Sequence, residues 1–200
     1  MSEIIRLPGK QQAGKIEKPN TIKLRDKEKL LKNPSRQTVL LIDGSDSMGD
    51  SKRRFATSGA VAFAEGALAK NYSVAVIGFA NDARLICKPT TDLERIRKAC
   101  GCWPVSGGTF IGAGLDAAVN LGVEPGDVLV VTDGACGQPD KTLSIASKLK
   151  DKKIEILAVG TDDADQVFLQ QLASRPDLGL KVEIGKFASA ISNASKLLKG

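Results

Sequence analysis

The stretch Gln37-Thr-Val-Leu-Leu-Ile-Asp43 is followed at once by Gly44-Ser-Asp-Ser-Met-Gly49. A short run of β-branched and aliphatic residues is typical of a strand that is buried on both faces. Asp127-Val-Leu-Val-Val-Thr-Asp133 repeats this pattern, because it is again an apolar run that ends in a carboxylate. The two stretches predict parallel strands in the interior of one sheet, with Asp43 and Asp133 at their carboxyl ends.

Strands and helices alternate along the rest of the chain. The apolar spacing predicts further strands at 72–80, 83–87, 153–159 and 180–184, and helices at 54–70, 92–98, 111–121, 139–150, 163–174 and 186–199. The turn at Asn81-Asp82 is too short for a crossover, so strand 83–87 is expected to be an antiparallel edge strand. The predicted fold class is α/β. It is a doubly wound, Rossmann-like, mostly parallel six-stranded sheet with one antiparallel edge strand and helices on both faces.

Ligands of doubly wound sheets bind at the carboxyl ends of the strands, where the strand order reverses. If the six strands are numbered in chain order, a doubly wound sheet has the order 3-2-1-4-5-6. Strand 37–43 is then the first and strand 127–133 the fourth, and the two are neighbours at the point of reversal. We therefore expect the carboxylates of Asp43 and Asp133 to lie on one rim of the sheet.

The composition, 42% hydrophobic and 26% charged over 200 residues, is that of an ordinary globular protein. No apolar run approaches the roughly 18 residues that a membrane helix needs, and residues 1–10 lack the apolar centre of a secretory signal, so a cytoplasmic protein is expected. The chain has no histidine, which excludes nucleophilic systems and metal sites that depend on imidazole. Its four cysteines contain no C-x-x-C pair, so neither a zinc ribbon nor a thioredoxin-like motif is present.

The net charge of +6 is concentrated at the amino terminus. Residues 1–36 hold ten basic and four acidic side chains, whereas residues 37–200 hold 19 of each. Low hydrophobicity predicts a basic, partly disordered arm over 1–36, with a short helix at 24–32, ahead of one domain at 37–200. The arm is either a solvated leader or a segment that docks on an acidic protein surface or a nucleic acid. It lacks the interleaved aromatic residues that would favour single-stranded nucleic acid.

Five residues carry a resemblance to a known family. Asp43, Ser45 and Ser47 form a D-x-S-x-S motif, Thr109 follows two glycines ahead of a predicted helix, and Asp133 ends a strand in Thr-Asp-Gly. In this order and context they resemble the metal-ion-dependent adhesion site of von Willebrand factor A domains. The resemblance covers about residues 37–199 and excludes the basic arm.

The resemblance implies a non-enzymatic protein-binding module. In this family a divalent cation at the five positions, Mg²⁺ or Mn²⁺, takes a Glu or Asp carboxylate of a partner protein as a further ligand. Prokaryotic relatives often work beside AAA+ ATPases, so the resemblance implies an intracellular adaptor. The donor types agree with this chemistry, because small hard dications prefer oxygen ligands.

Two alternatives stay open. Asp-Gly-Ser and Gly-Gly-Thr also occur as plain turn sequences with no ligand. The enzymatic alternative is a metal-dependent phosphoryl hydrolase with Asp43 as its nucleophile, as in haloacid-dehalogenase-like phosphatases. That family carries a second aspartate two residues after the first, whereas this chain has Ser45 there, which disfavours the alternative.

Two aromatic residues adjoin the Thr109 loop and are candidates for partner binding. Trp103 is either an exposed binding anchor or packs against the helix that starts at Ile111. Phe110 either packs beneath the metal site or presents an apolar edge to a partner.

Three further features near the rim are weaker. Asp46 is expected to point to solvent. Cys102 and Cys136 fall in two loops that approach the metal, where a redox-linked pairing is conceivable. The acidic segment Thr161–Asp165 is expected to cap the helix that follows it.

Overall fold

The computed structural model describes residue 34, residues 36–123 and residues 126–199, which include six strands and six α-helices. The strands are β1 (Arg36–Asp43), β2 (Tyr72–Phe79), β3 (Ala83–Thr90), β4 (Gly126–Thr132), β5 (Glu155–Gly160) and β6 (Gly179–Lys181). The helices are α1 (Gly49–Ala69), α2 (Leu93–Cys100), α3 (Ile111–Leu121), α4 (Pro139–Asp151), α5 (Gln166–Leu172) and α6 (Ile184–Ala194). Single 3₁₀ turns lie at Asp46–Met48, Pro176–Leu178 and Ser195–Leu197.

The strands form one sheet in the order β3-β2-β1-β4-β5-β6. β1 lies between β2 and β4 and is parallel to both, with Leu40 opposite Val76 and Leu129. β3 is the antiparallel edge strand beside β2. The expected fold class and strand order are confirmed.

Two apolar layers cover the sheet. Residues that alternate along β1 belong to opposite layers: Leu40 and Ile42 pack with α1, α2 and α6, whereas Val39 and Leu41 pack with α3, α4 and α5. Burial on both faces explains why the central strands are apolar throughout, with no alternation of polar residues.

The structure corrects several boundaries. α1 begins at Gly49 and not at residue 54, because its first turn is polar and exposed and so carries no apolar signal. β3 runs to Thr90 through Pro89, which an edge strand tolerates. Arg36 is the first residue of β1 and not the last of the arm. The predicted helix at 24–32 and the rest of the arm before residue 34 lie outside the described residues.

α1 is 21 residues long and packs closely along α6. The contact depends on a glycine, because a methyl group at Gly59 would lie 2.7 Å from the Ala188 carbonyl oxygen and 2.8 Å from Ile191 Cβ. Charged side chains fill the first turns of α1.

Within residues 36–123 and 126–199, no helix is long and apolar enough to cross a lipid bilayer.

We expect Gly59→Ala to lower the free energy of unfolding by about 1–3 kcal/mol, because the added methyl group pushes α1 away from α6. Gly185→Ala is the matched control, since a methyl group there meets nothing within 4 Å. The control should be neutral or stabilising by up to about 1 kcal/mol. Urea denaturation of both variants measures the difference, and equal stabilities would contradict the close packing.

Candidate metal centre

Two buried carboxylates lie side by side at the centre of the rim. Asp43 is the last residue of β1, and Asp133 follows the last residue of β4. Because β1 and β4 are paired in parallel, with Ile42 opposite Val131, the two side chains leave the sheet at the same edge. Asp43 and Asp133 are 0% and 1% exposed. The expected juxtaposition is confirmed.

The two serines of the first loop connect these carboxylates. The Ser45 backbone N–H donates to Asp43 Oδ1 at 2.8 Å. The Ser45 and Ser47 hydroxyl oxygens are 3.0 Å apart, and Ser47 donates to Asp133 Oδ1 at 2.8 Å. The 3₁₀ turn at Asp46–Met48 curls the loop so that both hydroxyls reach the carboxylates. Four of the five predicted ligand residues therefore form one continuous cluster.

Thr109 joins the cluster from the loop between α2 and α3. A side chain at Gly134 would meet Thr109 Oγ1 at 3.1 Å and Ser47 Oγ at 3.7 Å, so both hydroxyls border the same glycine. Two backbone hydrogen bonds hold the loop, from Phe110 N–H to the Ala80 carbonyl at 2.9 Å and from Gly137 N–H to the Thr109 carbonyl at 2.8 Å. The fold thus brings all five predicted residues to one place.

The electrostatics of the cluster favour a bound cation. Burial raises the pKa of Asp43, and the neighbouring Asp133 adds to the rise. Hydrogen bonds oppose it, the largest from the Thr132 hydroxyl, which donates to Asp43 Oδ2 at 2.5 Å. A charged carboxylate in this position is costly unless positive charge is supplied nearby.

Lys52 supplies a positive charge that the sequence did not predict. Its ammonium donates to Asp133 Oδ2 at 2.6 Å and to the Ser47 carbonyl at 3.1 Å, and it lies 2.9 Å from Asp162 Oδ2. The hydrogen bond to Asp133 is the main reason that the pKa of Lys52 is raised. Sequence reasoning missed the role of Lys52 because the predicted helix began at residue 54. In the structure Lys52 lies in the first turn of α1, at the rim of the sheet.

The cluster suits a hard divalent cation. Among the described residues, no three His, Cys, Asp or Glu side chains come together as a metal site. The candidate set instead has two carboxylates and three hydroxyls, which are oxygen donors only. This set suits Mg²⁺ or Mn²⁺ better than a softer metal that prefers sulfur or imidazole.

The aromatic candidates lie beside the cluster and on opposite faces of the sheet. Trp103 is half-buried against the layer of α1 and α2, so the expectation that it packs on the Ile111 helix is wrong. Phe110 is half-buried and folds back over α3, where its ring would lie 2.5 Å from a methyl group at Gly112. The Lys141 ammonium lies 4.8 Å from the centre of the Phe110 ring.

Asp46 stays outside the ligand cluster. It is exposed, as expected, and its Oδ1 accepts a hydrogen bond from the Gly107 N–H at 3.1 Å. Asp165 caps α5 by accepting from Val167 N–H and Phe168 N–H, which confirms the cap expected of the acidic segment.

The cysteines form no disulfide. All four are free thiols, with Cys102 exposed and Cys136 partly buried. Cys136 and the Thr142 hydroxyl are 3.2 Å apart and within hydrogen-bond distance. The conceivable pairing of Cys102 with Cys136 is absent from the structure.

The profile of the von Willebrand factor type A domain matches residues 38–196, a segment that includes all five candidate ligand residues. The chain therefore belongs to the von Willebrand factor type A domain family. No curated protein sequence matches the chain significantly.

Solved structures share the fold at low sequence identity. The von Willebrand domain of the type V pili tip protein Mfa5 from Porphyromonas gingivalis gives a TM-score of 0.73 at 12% identity, over 80% of this chain and 94% of that one. Proximal thread matrix protein 1 from the mussel byssus, solved with a zinc-occupied MIDAS motif, gives 0.68 at 20% identity, over 80% of this chain and 45% of that one. An aerotolerance-related membrane protein from Bacteroides fragilis gives 0.64 at 17% identity, over 81% and 97%.

Asp43→Asn should separate the cost of the buried charge from metal binding. In EDTA the variant should be at least as stable as the wild type, because an amide in this position carries no charge to desolvate. Mg²⁺ at about 100 times its dissociation constant should stabilise the wild type by about 2.7 kcal/mol and leave the variant unchanged. Thermal denaturation with and without Mg²⁺ measures both effects. Asp116→Asn, an exposed position on α3, is the control, and an equal response of Asp43→Asn to Mg²⁺ would contradict the site.

Lys52→Met should destabilise the metal-free protein by about 1–3 kcal/mol, because the buried Asp133 loses its charged hydrogen-bond donor. Mg²⁺ should recover part of this loss, since the cation would offset the same carboxylate. Urea denaturation in EDTA and in Mg²⁺ tests both statements, with the exposed Lys148→Met as the control. If Lys52→Met is as stable as the wild type in EDTA, the Lys52 ammonium is not needed to stabilise the buried Asp133 carboxylate.

Proposed function

We propose that this domain is a divalent-metal-dependent protein-binding module. Asp43, Ser45, Ser47, Thr109 and Asp133 would hold Mg²⁺ or Mn²⁺, and the bound cation would accept a Glu or Asp carboxylate of a partner protein. The observation that carries the proposal is the convergence of two buried carboxylates and three hydroxyls at the carboxyl ends of β1 and β4. The zinc-occupied motif of the mussel protein supports a metal at this place in the fold.

The charge of the donor set explains why a partner carboxylate fits. Two ionised aspartates match the charge of a dication, whereas the three hydroxyls are neutral and weaker donors. Such a cation stays electrophilic and retains positions for further oxygen ligands. A carboxylate from outside is therefore a suitable ligand, whereas a cation surrounded by protein carboxylates would not accept one readily.

The proposal is for a binding protein and not an enzyme. An aspartyl hydrolase of the type considered above needs a second carboxylate two residues after the nucleophile, and Ser45 occupies that position. Asp46 cannot substitute for it, because its carboxylate accepts from Gly107 on the outer side of the loop. The adaptor role beside an AAA+ ATPase, the cytoplasmic location and any nucleic-acid binding by the arm stay predictions.

A capture experiment tests the proposal. The full chain, Asp43→Asn and the control Asp116→Asn are immobilised and exposed to lysate of the source cell, each in Mg²⁺ and in EDTA. A partner should be retained by the wild type and the control in Mg²⁺ only. Replacing its Glu and Asp residues with Gln and Asn, one at a time, should then identify one carboxylate on which capture depends.

Two outcomes would contradict the proposal. A partner retained equally by all proteins in both buffers binds a different surface. Turnover of an aryl phosphate by the wild type that disappears in Asp43→Asn would instead support the hydrolase.

A further inference from the structure

A cleft rich in arginine adjoins the metal centre. It has a volume of about 910 Å³ and lies between α1 and α2. Arg53 and Arg54 of α1, Arg97 of α2 and the side chain of Trp103 contribute to its walls, and we call these four residues the arginine cleft. Asp50 is the one carboxylate among the residues that line it. The cleft is therefore positively charged, although residues 37–200 as a whole carry no net charge.

Two of the three arginines in the arginine cleft have no carboxylate partner among the described residues. Among the described residues, neither Arg53 nor Arg54 has a carboxylate within 4.0 Å. Arg97 differs, since it pairs with Glu65 at 3.2 Å and with Glu94 at 3.4 Å. Two guanidinium groups in a concave site thus remain available for an anionic ligand.

Arg53 is held in place with an unused donor. Its guanidinium carbon lies 5.3 Å from the centre of the Trp103 ring, a cation–π contact that helps to hold the side chain in place. Its Nε is buried, and within the described residues it has no hydrogen-bond partner. A buried donor without a partner costs free energy, and the same side chain lines the cleft.

The arginine cleft and the metal centre are built on the same segments. Lys52, which contacts Asp133, directly precedes Arg53 on α1. Trp103 lies in the loop that leads to Thr109, and Gly107 of this loop forms two hydrogen bonds with Asp46, at 3.0 and 3.1 Å. One extended ligand can therefore occupy both places.

We propose that the arginine cleft binds an acidic segment of the partner protein, next to the carboxylate that reaches the metal. This inference rests on the proposed function and adds the chemistry of the partner. Guanidinium groups bind carboxylates through paired, charge-assisted hydrogen bonds, which suits a run of Glu or Asp residues. The chain's own arm does not suit the cleft, because residues 1–36 carry a net charge of +6.

A single-stranded nucleic acid suits the arginine cleft less well. Proteins that bind single strands offer aromatic rings on which bases stack. The Trp103 ring is half-buried and makes a cation–π contact with the Arg53 guanidinium. The cleft therefore offers two guanidinium groups for carboxylates, whereas the one aromatic ring among its lining residues is already in contact with Arg53.

Trp103 is the single tryptophan of the chain, so its fluorescence reports directly on the cleft. The full chain is titrated with a peptide of eight glutamates, in Mg²⁺ and in EDTA, while the Trp103 emission is recorded. We expect a saturable change and a lower dissociation constant in Mg²⁺. Arg53→Gln combined with Arg54→Gln should raise the dissociation constant about tenfold or more in both buffers.

Two controls separate the cleft from general charge and from the metal. Arg84→Gln combined with Lys148→Gln removes the same charge from exposed positions outside the cleft and should change the dissociation constant less than about twofold. The double arginine variant should keep the Mg²⁺-induced rise in thermal stability, because the five ligand residues are unchanged.

The results that would contradict the cleft proposal differ from those that would contradict the proposed function. The cleft proposal is wrong if the double arginine variant binds the peptide as tightly as the wild type, or if the control pair weakens binding equally. If a 20-base-pair DNA duplex binds more tightly than the peptide, and this binding depends on Arg53 and Arg54, the ligand of the cleft is a nucleic acid and not an acidic segment. Loss of the Mg²⁺ effect with the arginine dependence intact would contradict the metal-mediated function and still support the cleft.

Discussion

The parallel pairing of β1 with β4 is the constraint on which the rest of the site depends. It places Asp43 and Asp133 side by side at the centre of the sheet, where both side chains are buried. Two like charges in such a position repel each other and lose their hydration. The surrounding groups are arranged to offset this cost: the Thr132 and Ser47 hydroxyls donate hydrogen bonds, and the Lys52 ammonium pairs with Asp133.

The loops around the rim are tied to one another as well as to the sheet. The loop after β1 bonds to the loop before α3 through Asp46 and Gly107, and the loop after β4 bonds to Thr109 through Gly137. These contacts hold hydroxyl and carboxylate oxygens in one cluster. A site organised in this way has less ordering to do when it binds a cation, which lowers the entropic cost of binding.

α1 joins two regions of opposite charge. Its first turn places Lys52 on the negatively charged rim, and the following residues place Arg53 and Arg54 in the cleft. A dication would offset the negative charge of Asp43 and Asp133 on the rim, whereas the cleft is positive already. A partner segment with several carboxylates would then meet little repulsion at the rim and attraction in the cleft.

Much of the fold and of the metal centre could be predicted from the sequence, because the signals are local. Apolar runs that end in aspartate predicted β1 and β4, a short turn predicted the antiparallel edge strand, and the strand order was that of doubly wound sheets in general. The five candidate ligand residues followed from the resemblance of three short segments to the metal site of von Willebrand factor A domains. Where local signals were weak, as in the polar first turn of α1, the predicted boundary was wrong by five residues.

Contacts between distant parts of the chain were decided only by the tertiary structure. Lys52 meets Asp133 across 81 positions, and Thr132 meets Asp43 across 89. Trp103 packs on the face of α1 and not on that of α3, which creates the arginine cleft. The sequence by itself determined which residues end the strands, since hydrophobic pattern acts locally. The rotation of each helix against the sheet decided which side chains meet, because that rotation is set by packing of the whole core.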